Sequence, residues 1–228
     1  MPTTAERMRT YHGPAILSYG FRPFFLLGAI WAAFVVAVWL PMLGGRLALP
    51  TAFSALEWHV HELVYGYVPA IVAGFLLTAI PNWTGRLPVT GGPLLGLVAT
   101  WVAGRLAILT SARLGAPLAA LVDLLFLACL AGVMAREIVA GRNLRNAKVL
   151  VLVALLWVGN AVFHWEAMTQ ASGGYGLRLG IGVIVFLITL MGGRIIPSFT
   201  RNWLVRQPAG RLPTPFGRFD GVCLGAGA

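Results

Sequence analysis

Six stretches of roughly twenty mostly apolar residues, joined by short connectors rich in Gly, Pro and Arg, limit this chain more than any other feature. They fall at 24–43, 56–80, 94–114, 117–139, 149–168 and 177–196. A helix rises about 1.5 Å per residue, so each stretch is long enough to cross a hydrocarbon core of about 30 Å. The composition agrees, because 58% of the residues are hydrophobic and 11% are charged, where a soluble domain carries about 25% charged residues. The expected fold is an all-α polytopic transmembrane helix bundle of six spans, forming a single domain over residues 1–228. From residue 219 the chain turns apolar again, which reads as the start of a seventh span and as the N-terminal half of a longer protein.

A net charge of +10 would suggest nucleic acid in a soluble protein. Here the basic residues flank apolar spans, so they report topology, and the partner they imply is the lipid bilayer. Thirteen fall on one side: Arg7, Arg9, Arg22, Arg86, Arg136, Arg142, Arg145, Lys148, Arg194, Arg201, Arg206, Arg211 and Arg218. Only Arg46, Arg113 and Arg178 fall on the other, and Arg105 lies inside a span. The positive-inside rule then makes the N-terminus cytoplasmic and runs the second span from the outer face inwards. Trp39, Trp58 and Trp165 fall near the outer boundary, whereas Trp31, Trp101 and Trp157 lie mid-span, where packing between helices is expected. Cys129 and Cys223 lie far apart in near-apolar sequence and form no metal or disulfide motif.

The chemistry gathers in residues 54–86, SALEWHVHELVYGYVPAIVAGFLLTAIPNWTGR, which hold two of the four histidines at the mouth of an apolar helix. Ionisable groups near a bilayer cost free energy and usually have a function. With the topology above, His59, His61 and His164 all lie within about 10 Å of the outer boundary. Neutral imidazole is a common ligand for haem iron, copper and zinc, so these three are the candidate metal ligands. Ser54 and Glu57 have the spacing of a capping box, which makes His59 and His61 both helical. Residues two apart diverge by about 200° around a helix. The two imidazoles therefore point apart, one face carrying His59 with Glu62 and the other His61 with Tyr65.

Asn160 is four residues before His164 and is expected to orient its ring. Pro69 is expected to kink the second span. Arg105 and Asp123 lie at one depth on adjacent spans and read as an intramembrane ion pair. His12 falls on the cytoplasmic side, away from the cluster. The sequence IPNWT at 80–84 is echoed by IPSFT at 196–200, which suggests an internal repeat.

Several blocks together carry a resemblance: SYGFRPFFL at 18–26, WHVHE at 58–62, GFLLTAIPNWTG at 74–85, Asn160 with His164, and GRIIPSFT at 193–200. They resemble the NnrS family, haem- and copper-containing proteins of the bacterial inner membrane linked to the nitric oxide response, over residues 18–203. The resemblance implies haem and copper as cofactors, with His59, His61 and His164 as the ligands. It implies nitric oxide as a ligand; Arg105, read above as an ion-pair partner, is in the sharper alternative the group that, with Arg178 above it, accepts the propionates of a haem. It leaves open whether the gas is reduced, sequestered or sensed, and this chain is about half the length it implies. A metal-free transporter or channel is the competing expectation, resting on the Pro- and Gly-broken spans and the charges of Arg105 and Asp123. A scaffold subunit is a third.

Overall fold

The computed structural model describes residues 11–208, 210–214 and 217–226. Arg7 and Arg9, counted for topology, lie outside them. Among the described residues all regular structure is helical. Helix α1 is Phe21–Leu43, and the second span, α2, is Ala55–Thr84. There follow α3, Gly91–Leu109; α4, Ser111–Leu114; α5, Ala116–Ala140; α6, Ala147–Thr169; α7, Tyr175–Leu204; and α8, Arg218–Ala226. Six of them are long and apolar enough to cross a membrane: α1, α2, α3, α5, α6 and α7. Helix α8, nine residues long, lies where the start of a seventh span was expected.

Local chemistry sets the boundaries. Helix α2 starts at the expected capping box: Ser54 Oγ accepts the Glu57 amide and Glu57 Oε2 accepts the Ser54 amide at 2.8 Å. It ends at Gly85, whose φ of +68° is a left-handed conformation that costs glycine little. The third span is shorter than its apolar stretch. Thr110 leaves helical geometry (φ −112°, ψ 15°) and α4 begins after it. Polar side chains there compete for the backbone: Thr110 Oγ1 donates to Leu106 O, and Ser111 Oγ accepts the Ala52 amide.

Pro69 does not act as a simple hinge. The six residues Glu62–Tyr67 just before it form a π-helical segment, closed by the Val68 amide donating to Leu63 O. Proline has no N–H and its ring crowds the carbonyl four residues back, so the wider turn upstream relieves that contact. Such single-turn π segments often mark functional positions.

The chain divides into two compact units, 1–180 and 181–228. The second carries the rest of α7 and α8. In the first, α1 packs on α2, α2 and α3 pack on α5, and α5 packs on α6. Gly104 brings α3 against α5 closely enough that a Cβ there would lie 3.2 Å from Asp123 Cα, as small residues do at membrane helix interfaces. The distribution of polarity is the reverse of a soluble protein. Leu26, Leu40 and Leu121 are more than half exposed, while Glu62, His61, Arg105 and Asp123 are buried. Lipid is as apolar as leucine, so the interior is distinguished by packing and hydrogen bonds instead. The mid-span tryptophans act accordingly: Trp31 Nε1 donates to Glu62, Trp101 Nε1 to Gly66 O and Trp157 Nε1 to Leu124 O.

The block at 81–86 is a clamp between helix ends. Asn143 Nδ2 donates to Trp83 O, and Arg86 Nε pairs with the buried Glu137, which Arg136 also contacts. This ties the end of α2 to the end of α5.

Candidate functional site

Asp123, two turns into α5 from its N-terminal end, is the hub. Its Oδ2 lies 3.0 Å from His164 Nε2, 3.3 Å from His61 Nε2 and 2.8 Å from Asn160 Nδ2. Its Oδ1 pairs with Arg105 Nη2. Arg105 Nη1 reaches Glu62 Oε2 at 2.7 Å, and the same oxygen accepts Trp31 Nε1 at 2.7 Å. Glu62 Oε1 completes the circuit at 3.0 Å from His61 Nδ1. Five helices, α1, α2, α3, α5 and α6, thus meet in one buried polar network.

His61, Asp123 and His164 form a buried group whose donor atoms all lie within 4.8 Å of one another and could hold a metal ion. Tetrahedral coordination at bond lengths of about 2.0–2.1 Å places neighbouring ligand atoms about 3.3 Å apart. The two N···Oδ2 separations match that spacing. Two imidazoles and one carboxylate suit copper, iron or zinc.

The expected ligands therefore separate. His61 and His164 converge, with ring centroids 4.9 Å apart. His59 takes the other side of α2, where it stacks on Trp39 at 3.9 Å and 18°, and its buried Nδ1 has no hydrogen-bond partner. The expectation that His61 and Tyr65 share a face describes the arrangement, at 5.8 Å between centroids. Glu62, however, joins His61 and not His59: the side chains of these adjacent residues turn towards each other, and Glu62 Oε1 meets His61 Nδ1 at 3.0 Å. Asn160 orients a different group from the one expected: its Oδ1 faces His61 Nε2 at 3.1 Å and its Nδ2 donates to Asp123. Arg105 and Asp123 do form the intramembrane pair. His12 is exposed and apart, and Arg178 lies over the Tyr175 ring.

Sequence reasoning left Asp123 and Glu62 out of the ligand set. The signal for Asp123 was its depth on α5, which matches that of the histidines. Trp31 as a donor to Glu62 had no sequence signal.

A haem does not fit this group. His61 is enclosed by Phe53, Tyr65 and Phe163, and both terminal nitrogens of Arg105 are held by carboxylates, so that only its buried Nε lacks a partner. An open cavity of about 480 Å³ at the ends of α2 and α6 is lined by Glu57, Glu166, Gln170 and apolar or small residues, with no histidine in its wall. A single metal ion fits; a porphyrin between His61 and His164 does not.

A family model described as NnrS protein matches residues 15–228. Comparisons with curated proteins and with solved structures gave no significant match. The match spans nearly the whole chain, including the helices that bring His61, Asp123 and His164 together, and the protein belongs to the NnrS family.

Proposed function

We propose that this membrane protein holds a metal ion, copper in the first instance, at His61, Asp123 and His164, and that it acts in the bacterial response to nitric oxide from the inner membrane, with its N-terminus cytoplasmic. The charge of the buried network is the observation that carries the reading. Glu62 and Asp123 bring two negative charges and Arg105 one positive. Both nitrogens of His61 face oxygen atoms that accept hydrogen bonds, Glu62 Oε1 on one side and Asn160 Oδ1 and Asp123 Oδ2 on the other. A neutral imidazole donates from one nitrogen only. The cluster thus has room for one further positive charge: a second ring proton on His61 supplies it in the metal-free protein, and a metal cation at the Nε2 side takes its place.

The side chains have distinct parts in this reading. His61, His164 and Asp123 hold the ion; Asn160 and Glu62 fix the His61 ring; Arg105 sets the position of Asp123, as partners of metal ligands do. A copper or iron ion would contribute one-electron chemistry and a coordination position open to a diatomic ligand. The orientation rests on the basic residues gathered at one side of the spans. His59 is a ligand candidate for a separate centre, since it stands on another face of α2.

A transporter reading has one specific support: the π-helical break of α2 lies beside the buried charges, as broken helices do at ion sites in transporters. Metal analysis with electron paramagnetic resonance on purified protein separates the two. Bound metal near one equivalent per chain is expected, lost on removal of a ligand in His164→Ala and weakened by roughly one to two orders of magnitude in affinity when the orienting Asn160 is changed in Asn160→Ala. Metal-free protein that moves ions across liposomes would overturn the proposal.

A further inference from the structure

Next to His164, where the loop at 51–54 meets the ends of α3, α5 and α6, lies a small, partly open hollow. Four alanines, Ala52, Ala116, Ala119 and Ala167, line it together with Ser111 and His164. The space exists because these side chains stop at one methyl. Ser111 is already engaged: its Oγ donates to Ile108 O at 2.9 Å and accepts the Ala52 amide at 2.8 Å. A charged or strongly polar guest would lose its hydration without compensation. Its free space is about 40 Å³, room for one atom or one diatomic molecule, and apolar cavities stay dry and take up such small apolar guests. At its inner end the hollow meets the donor group. His164 is in its wall, and Phe53, also in the wall, lies 5.8 Å from the His164 ring and 5.2 Å from His61.

We infer that this hollow is the chamber through which a small uncharged gas molecule reaches the group formed by His61, Asp123 and His164. The inference rests on the metal reading above for the identity of the destination, but the chamber itself can be read without metal. Ala167 and Ala116 are only partly buried, so Ala167→Leu and Ala116→Leu fill the hollow with little strain on the helices. Xenon NMR on the detergent-solubilised full chain is expected to show binding that Ala167→Leu abolishes. In reduced, metal-loaded protein, carbon monoxide association is expected to slow roughly tenfold in both variants at unchanged metal content, a barrier increase of about 1.4 kcal/mol. Xenon binding that survives in Ala167→Leu, or its absence from the parent protein, overturns the chamber, as do association rates unchanged in both variants. Parent protein without metal sinks the metal reading instead, and the xenon result then decides the chamber alone.

Discussion

Replacing Arg105 with methionine tests the network at its most sensitive point. The guanidinium lies between two carboxylates, Glu62 and Asp123, and all three residues are at most 2% exposed. Methionine keeps much of the side-chain length and removes the charge, so the two carboxylates lose the guanidinium that they share. Removing one partner of a single buried ion pair costs about 3–5 kcal/mol, and here one cation serves two anions, which places the loss at the upper end. An ordinary interhelical hydrogen bond in a membrane contributes about 0.6 kcal/mol, so loss of the hydrogen bonds alone cannot produce an effect of this size. The assay is the unfolding free energy of the purified protein in a denaturing-detergent titration. A second variant, Arg105→Met with Glu62→Gln, returns the cluster to its original net charge and is expected to recover at least half of the loss. The non-additivity of the cycle then measures the coupling between the two residues. A single variant within about 1 kcal/mol of the parent protein, well below the loss expected of a broken buried pair, would refute the claim that Arg105 neutralises the pair, and with it the charge argument for a bound cation.

Two further outcomes test how the helices are placed. Gly176→Ala should destabilise the first unit by about 1–3 kcal/mol, because its Cβ would lie 2.5 Å from Phe163 N and 2.6 Å from Phe163 Cα; unchanged thermal stability in detergent would show that α6 and the start of α7 are not in backbone contact. Ser54→Ala removes the hydroxyl that caps α2 and should cost about 1 kcal/mol. In the same unfolding titration, an effect below the resolution of the measurement would count against the cap.

Much of this protein was legible in one dimension. The apolar stretches gave the six helices because a bilayer demands length and continuity, both written along the chain. The box formed by Ser54 and Glu57 and the divergence of His59 from His61 followed from helix geometry alone, since neighbours on one helix have a fixed angular relation. Depth was legible too, and it placed His61, His164, Arg105 and Asp123 near one level. Azimuth between helices was not. Which side of α5 faces α6, and therefore that Asp123 meets both imidazoles, depends on how the helices rotate against one another, with contacts such as Gly104 on Asp123 setting the approach. That Glu62 turns to His61 was not legible either, because it depends on Arg105 and Trp31 arriving from other helices to hold the carboxylate. Residues 81–86, whose purpose the sequence left unexplained, gained one only when the end of α5 brought Glu137 and Asn143 to them. Length, polarity and local caps are properties of the chain. The site is a property of five helices meeting, because its bonds join residues as far apart as Trp31 and His164.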